Sequence, residues 1–380
     1  MDKEDNKLIE IPVSENQYIE FKSEAVKAMP LAEEIVAFAN SEGGEIWLGV
    51  EDDRTISGLS KDYEEDVMNI CRTCCIPPIQ VQYETYYVDN KRIACLQIPK
   101  GKDKPYYTTT NKYFIRVGST KRIASHGELL RLFQASGAFH FDLTEVEKAK
   151  VTDLDIGQIG NYFTRYHISF FDEAEEERIR IMKYSDIMSE NGIPTLAGIL
   201  MFGLAPERFL YQSGISFAHF SNTDMTADLI DKKNISAPLP QLVDNAVAVL
   251  KNNLMVSSTI IGNRRVEGPG YSDKVFRELI VNACVHRNYS ISGSQIRLFL
   301  FKDRLEVISP GRLPNTVSIE KLPIGTSVAR NPALVRFMEN LGYVDKLGRG
   351  LPMVCREVKE LGKKVEFMEK GEEFKVILTI

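Results

Sequence analysis

The amino-acid sequence predicts an α+β protein of two domains. The chain has 380 residues, more than one hydrophobic core usually supports, so a division into two domains is the ordinary expectation. Helical and strand patterns occur in both halves, and the stretch 135–143, with Ser136 and Gly137, separates them. We place the boundary near residue 140, which gives domains of 1–140 and 141–380.

The first half begins with a helix, a glycine turn and a buried strand. Leu31, Ile35 and Phe38 share one helical face, and Gly43-Gly44 ends the helix before an apolar run. Further strands are predicted at 81–88, 92–98 and 113–117, the first two as a hairpin around residues 89–91. Ser125 and Glu128 have the spacing of a capping box, which predicts a helix that continues to Ala135.

The second half repeats the mixture of helices and strands. Thr144 and Glu147 have the capping-box spacing again and predict a helix that opens the second domain. The charged run 172–182 is typical of a solvated helix. Apolar spacing then predicts helices at 239–254 and 272–288 and strands at 213–220, 295–301 and 304–308.

Composition narrows the class of protein. The chain is 43% hydrophobic and 26% charged with a formal net charge of −6, which matches a globular protein without a general basic coat. Its start lacks the pattern of a secretory signal, and its apolar runs are shorter than the roughly 20 residues of a membrane span. We therefore expect a cytoplasmic protein with no membrane partner.

Six cysteines include a close group at Cys71, Cys74 and Cys75. The spacing is that of half a zinc site, but the second ligand pair is missing, since only Cys95 and His126 follow separately. We interpret the group as small buried thiols on a helix.

A polar stripe interrupts the otherwise apolar helix 272–288. Glu278, Asn282 and His286 are spaced four apart and share one face. Such a stripe is either a solvated helix face or the lining of a site. Two glycine-containing segments follow, 309–314 and 348–351, with 327–332 between them. Glycines allow backbone amides to surround a polyphosphate, which favours the second interpretation.

Four ordered motifs here resemble the GHKL-type ATPase-like domain of bacterial transcriptional regulators: RELIVNACVHRNYS, SPGRLP, SVARNPALVRFMENLGYVDKLGRGL and EEFKVILTI. The resemblance covers roughly residues 190–380. It implies a GHKL-like α/β sandwich that binds ATP and Mg²⁺, with Glu278 as general base and Asn282 as the magnesium ligand. The other implied contacts to nucleotide are His286, Ser309, Gly311, Arg330, Gly348, Arg349 and Gly350.

The chain departs from the GHKL pattern at the base-reading position. Typical members carry D-x-G-x-G, whose aspartate binds the adenine amino group, whereas this chain has Ser309-Pro310-Gly311. The resemblance therefore implies weak or base-tolerant nucleotide binding, with slow hydrolysis or none.

The segment from residue 100 to residue 131 is locally basic. It holds eight Lys and Arg against Asp103 and Glu128, a net charge of 8 − 2 = +6. Tyr106, Tyr107 and Tyr113 lie among these residues and could stack on unpaired bases. We predict nucleic-acid contacts, with DNA favoured over RNA, from Lys100, Lys102, Lys104, Lys112, Arg116, Lys121 and Arg122.

The first half also resembles the AlbA_2 or Schlafen-like DNA-binding domain over about residues 10–135. The motifs that carry this are ENQYIEFK from Glu15, EEIVAFANSEGGEIWLGVEDD and IRVGSTKRIAS. The resemblance implies a nucleic-acid-binding α/β domain of a transcriptional regulator. Homodimerisation, common in such regulators, stays open.

A metal-dependent nuclease is the alternative function. Schlafen-type nucleases use two glutamates five residues apart followed by an aspartate, and the resemblance assigns these roles to Glu15, Glu20 and Asp52 or Asp53. Carboxylates of this kind can bind a divalent ion and activate water.

Overall fold

The computed structural model describes residues 11–256, 260–261, 264–265, 270–326, 328–345 and 347–380. The chain divides into two compact units, Met1–Ala138 and Phe139–Ile380. Each unit mixes helices with strands, which confirms the predicted α+β class. Across the described ranges, none of the helices combines the length and apolar character needed to cross a bilayer.

A four-stranded sheet in the order β1-β2-β5-β4 organises the N-terminal unit, with β1 and β2 parallel and the other pairs antiparallel. The predicted first helix, hairpin, later strand and last helix are all present. In chain order the elements are β1 (Ile19–Lys22), α1 (Ala28–Asn40), β2 (Gly44–Leu48), α2 (Glu64–Thr73), β3 (Cys75–Ile76), β4 (Gln82–Val88), β5 (Lys91–Ile98), β6 (Tyr107–Thr108), β7 (Phe114–Val117), β8 (Thr120–Ile123) and α3 (His126–Ala135).

One face of this sheet forms a core with α1. Leu31, Ile35 and Phe38 lie in a buried cluster with Ile46 and Leu96 of the sheet, and burial of each such side chain contributes about 1.5–3 kcal/mol. The predicted capping box of α3 is confirmed, because Ser125 and Glu128 bond each other's backbone amides.

The side chain of Asn40, at the end of α1, fixes the basic segment to this core. Its Nδ2 donates to the carbonyls of Tyr106 and Phe114 at 2.7 and 2.9 Å, and its Oδ1 accepts from the amide of Tyr106 at 2.8 Å. These buried bonds link positions 66 and 74 residues away along the chain. The loop that carries the lysines therefore has a fixed attachment.

The cysteine group consists of free thiols, but only Cys71 lies on a helix as predicted, because α2 ends before Cys74 and Cys75 lies on β3. Cys71 and Cys75 are buried, and desolvation raises the pKa of the Cys71 thiol to about 12. The described residues contain no group of three or more His, Cys, Asp or Glu placed to hold a metal ion.

A six-stranded mixed sheet in the order β10-β9-β13-β14-β16-β15 organises the C-terminal unit. Its core runs through the whole unit, from Ala149 to Leu378. In chain order the elements are α4 (Ile156–Thr164), α5 (Glu175–Tyr184), α6 (Leu196–Phe202), β9 (Ile215–Phe220), β10 (Leu229–Ile235), α7 (Leu239–Val256), β11 (Ile260–Ile261), β12 (Arg264–Arg265), α8 (Asp273–Val285), β13 (Ile296–Leu300), β14 (Arg304–Pro310), α9 (Pro332–Asn340), α10 (Gly350–Glu360), β15 (Val365–Lys370) and β16 (Glu373–Thr379).

The prediction of a helix starting at Thr144 is wrong. The Thr144 hydroxyl donates to the carbonyl of Phe141 at 2.7 Å, and its own carbonyl accepts from the amide of Leu196. Both groups that would start a helix are therefore bonded elsewhere. The first α-helix of the unit begins later, where the carboxylate of Asp155 accepts from the amide of Gln158 at 3.0 Å.

Candidate functional site

A pocket lies in the C-terminal unit beside α8 and β14. Glu278, Asn282 and His286 line it from the α8 side, together with Gly311, Gly348, Gly350 and Ser309. Its volume is about 130 Å³, comparable with cavities that hold one aromatic ring. Much of the remaining lining is apolar and includes Leu279, Ala283, Val307, Leu313, Val335 and Val376.

The polar stripe of α8 is thus a pocket lining and not a solvated face. Val275, Leu279 and Ile280 are buried on the same helix, and this places Glu278 and Asn282 at the edge of the core, where both are part-buried. The helix is shorter than predicted: it ends at Val285, and His286 is its C-terminal cap.

The side chain of Asn282, one helical turn further along α8, holds the Glu278 carboxylate. Asn282 Nδ2 donates to Glu278 Oε1 at 2.6 Å and to the Glu278 carbonyl at 2.8 Å. Desolvation raises the pKa of the Glu278 carboxyl; the bond from Asn282 opposes this and the charge of Asp345 adds to it. A carboxylate with a raised pKa is a stronger base for activating water.

One side of the pocket carries side-chain oxygens of the kind that Mg²⁺ prefers. Because the Asn282 amide nitrogen is bonded to Glu278, its Oδ1 is the atom that would bind Mg²⁺, which prefers oxygen ligands. Gly350 allows close approach, since a Cβ there would overlap the Glu278 carboxylate. Gly348 has a φ of 68°, and a Cβ there would lie 2.8 Å from the carbonyl of Thr326.

The side chains of Ser309 and Arg330 form hydrogen bonds within the protein. The Ser309 hydroxyl donates to the carbonyl of Ala283 at 2.8 Å. Arg330 is 9% exposed, does not line the pocket, and lies against the Cα of Gly311 with one bond to the carbonyl of Arg312. Within the part of the chain that the structure describes, its Nε and Nη1 are buried without a hydrogen-bond partner.

Burial, and after it the charge of Arg330, lowers the pKa of His286 to about 4, so this imidazole is neutral at pH 7. His286 can therefore accept or donate a hydrogen bond in the pocket without carrying charge.

Arg349 is placed differently from the expectation. Its side chain is 72% exposed and pairs with Asp345, with 2.8 Å between Arg349 Nε and Asp345 Oδ2. It does not line the pocket, whereas Asp345 does. Sequence reasoning passed over Asp345, although it belongs to the same glycine-containing motif, three residues before Gly348. Ser327 of the neighbouring motif lies outside the described residues.

Arg116 and Lys104 are wrongly predicted as nucleic-acid contacts, because both are 5% exposed. Arg116 Nη1 pairs with Glu20 Oε2 at 2.7 Å and Glu34 Oε2 at 3.1 Å, and its guanidinium lies over the ring of Phe38. Lys104 Nζ donates to the carbonyl of Ser41 at 2.7 Å. Both buried cations therefore pair with groups inside the protein and are not presented to a ligand.

Three of the carboxylates assigned to the alternative nuclease function also bind groups of the protein itself. Glu20 binds Arg116 and Lys22, Glu15 Oε1 accepts from the amide of Phe21 at 3.0 Å, and Asp53 accepts from the amide of Thr55. Desolvation raises the pKa of the Glu15 carboxyl, and the charges of Glu20 and Asp52 add to the increase. In the described part of the chain, however, these residues do not form a metal-binding group.

Exposed basic side chains remain along the segment. Lys102, Lys112 and Arg122 are exposed, and Lys100 is exposed while paired with Glu42 at 3.2 Å. Lys121 is half-buried and pairs with Glu33 and Glu34 at 3.2 and 3.0 Å. The candidate surface is thus smaller than the sequence predicted.

Comparison with known families matches both units. Residues 15–125 match the model described as "Schlafen, AlbA_2". Residues 293–378 match the model described as "Putative ATP-dependent DNA helicase recG C-terminal". The chain joins an AlbA_2-type Schlafen domain to a RecG C-terminal-type ATPase-like domain. This is the two-domain arrangement that the resemblances implied.

Two solved structures are similar to the chain. The DIP2311 protein from Corynebacterium diphtheriae is 20% identical with a TM-score of 0.47, over 96% of this chain and 64% of that one. The N-terminal domain of a RecG-related protein from Nitrosomonas europaea is 22% identical with a TM-score of 0.23, over 28% of this chain and 84% of that one. The chain therefore spans less than two thirds of the DIP2311 protein. No curated protein matches.

Proposed function

We propose that the protein is a regulator of transcription that binds nucleic acid through its AlbA_2-type domain and a magnesium nucleotide through its ATPase-like domain. The observation that carries the nucleotide half is the closure of Glu278, Asn282 and Gly350 around one side of an apolar pocket. The family matches, to a Schlafen domain and an ATPase-like domain, support both halves.

In this proposal each residue of the pocket has a distinct part. Asn282 Oδ1 would hold the magnesium ion, whose charge would neutralise that of the phosphates. Glu278 orients and deprotonates water, and the backbones of Gly348 and Gly350 approach the phosphates. The apolar wall, including Leu279 and Val376, covers the base.

Affinity for the base is expected to be low. With Ser309 in place of a charged acceptor, one charge-assisted hydrogen bond is absent, which costs on the order of 1.5–3 kcal/mol. The Ser309 hydroxyl already donates its proton to the carbonyl of Ala283, so it can only accept a hydrogen bond from a ligand. ATP, ADP and GTP are therefore expected to bind with similar, weak affinity.

Calorimetry of the full-length protein with ATP, ADP and GTP in Mg²⁺ tests this half. Measurable heat for at least one nucleotide is expected, and it should be lost in Asn282→Leu, which keeps the side-chain volume but removes the metal ligand. If no nucleotide gives heat at protein concentrations suited to millimolar affinity, the domain is structural.

Nucleic-acid binding rests on the exposed Lys102, Lys112 and Arg122 together with the AlbA_2-type match. Such contacts bind phosphate and give strong dependence on salt. Mobility shifts of the full-length protein with DNA and with RNA, at several salt concentrations, are the direct test. DNA is expected to bind more tightly, and absence of any shift at low salt would exclude this half of the proposal.

A further inference from the structure

Three aromatic rings form a group beside the basic segment. The ring centroids of Tyr107 and Tyr113 are 5.1 Å apart, and those of Tyr113 and Phe133 are 6.3 Å apart. All three side chains are half-buried. In the described part of this unit they pack on one another outside its two apolar clusters, whereas Tyr63 and Tyr83 pack against the core.

The backbone that carries these rings is fixed. Asn40 holds both backbone groups of Tyr106, directly before Tyr107. The carbonyl of Tyr113 accepts from the amide of Ala124 at 2.8 Å. Phe133 lies on α3, whose start is secured by the capping box. Rings on such a scaffold lose little entropy when a ligand stacks on them.

Basic residues lie close to the rings along the chain. Lys112 is exposed and directly precedes Tyr113, and the exposed Asn111 before it has a φ of 57° at the tip of its turn. The exposed Lys102 belongs to the same segment as Tyr106 and Tyr107. Lysines beside half-exposed aromatic faces match the two parts of an unpaired strand, its phosphates and its bases.

We infer that the Tyr107–Tyr113–Phe133 group is a stacking site for unpaired bases, so that the protein prefers single-stranded nucleic acid to uninterrupted duplex. This rests on the proposed nucleic-acid binding and specifies its substrate. In a duplex each base face is already stacked on its neighbour, whereas in a single strand the faces are open. DNA and RNA share this chemistry.

Fluorescence anisotropy of the full-length protein tests the inference with three labelled ligands: single-stranded DNA, single-stranded RNA and the matching DNA duplex. Oligonucleotides of about 20 nucleotides exceed the usual site size of about 4–16. At equal salt, at least one single strand is expected to bind about tenfold more tightly than the duplex. The two single-stranded arms show which sugar is preferred.

Substitutions then separate stacking from folding. Tyr113→Leu keeps an apolar side chain but removes the ring, and it should weaken single-strand binding by about five- to hundredfold while duplex binding stays unchanged. Tyr113→Phe keeps the ring and should restore the affinity. Tyr87→Leu is the matched control, because Tyr87 is a 55% exposed tyrosine on β4 that contacts Arg92 and belongs to no ring group.

The outcomes distinguish this inference from the proposed function. Equal affinity for single strand and duplex, or equal loss for both in Tyr113→Leu, overturns the stacking site and leaves nucleic-acid binding in place. Absence of binding to all three ligands overturns both. The fluorescence of Trp47, buried in the same unit, reports whether each variant is folded.

Discussion

The carboxylate of Glu278 fills the space that a side chain at position 350 would need. A Cβ built on Gly350 would overlap that carboxylate, although the backbone at Gly350 has no left-handed φ. The glycine is therefore required by its neighbour and not by its own conformation. This contact joins the candidate base on α8 to the first residue of α10.

Gly350→Ala is expected to displace Glu278 and weaken nucleotide binding at least about tenfold. Stability should not fall through the helix itself, because alanine is favoured over glycine in a helix by up to about 1 kcal/mol. Calorimetry with Mg-ATP and a thermal melt measure the two effects separately. Gly293→Ala is the control, since a Cβ at Gly293 meets nothing within 4 Å. Wild-type affinity in Gly350→Ala would contradict the role of this contact.

Glu278→Gln is expected to keep nucleotide affinity within about threefold, because the amide can still accept from Asn282, while any hydrolysis falls by about 10²–10⁴. The base acts in its ionised form, so wild-type turnover should rise with pH through a midpoint above 4.5, the ordinary value of the glutamate pKa. Phosphate release between pH 4 and 8 measures this. Turnover that keeps its wild-type rate in the variant would exclude Glu278 as the base.

The pattern of the sequence was sufficient for several local elements, such as the β4–β5 hairpin and the capping box of α3, and for one wall of the pocket. Glu278, Asn282 and His286 recur at helical spacing, so their common face needed no tertiary information. Arg116 shows the limit. Its partner Glu20 lies 96 residues away, and in the sequence it could not be told from an exposed arginine such as Arg122. The burial of a charge depends on non-local pairing, which spacing does not encode.

Arg116 and Arg122 are consequently expected to respond in opposite ways. Arg116→Met removes the buried guanidinium from Glu20 and Glu34, which among the described residues keep only the half-buried Lys22 and Lys121. The loss should destabilise the N-terminal unit by about 3 kcal/mol. Arg122→Met should leave stability within about 0.5 kcal/mol but lower nucleic-acid affinity and reduce the salt slope by about one. Urea unfolding followed by Trp47 fluorescence, and anisotropy against salt, measure these. Equal stability of the two variants would contradict the buried network.

Asp142 provides a test of the C-terminal unit that is independent of any ligand. Its side chain is fully buried, and Oδ2 accepts from the amides of Ala333 and Leu334 at 2.8 and 3.2 Å, at the start of α9. Among the described residues, Oδ1 is buried and has no hydrogen-bond partner. Desolvation raises the pKa of this carboxyl to about 6; the two amide bonds and the charge of His140 oppose the shift without cancelling it.

Because the pKa of Asp142 is higher in the folded protein than its ordinary value of 3.8, the protonated acid stabilises the fold and the carboxylate costs free energy. This contribution is complete below about pH 4 and is lost as the pH rises through 6, with a total of about 1–3 kcal/mol. Asp142→Asn keeps an oxygen for the two amides and cannot ionise. Relative to wild type, the variant should therefore gain stability between pH 4.5 and pH 7.5. Calorimetric unfolding of both proteins across that range measures the difference, and a difference that stays constant with pH would show that Asp142 does not titrate in this window.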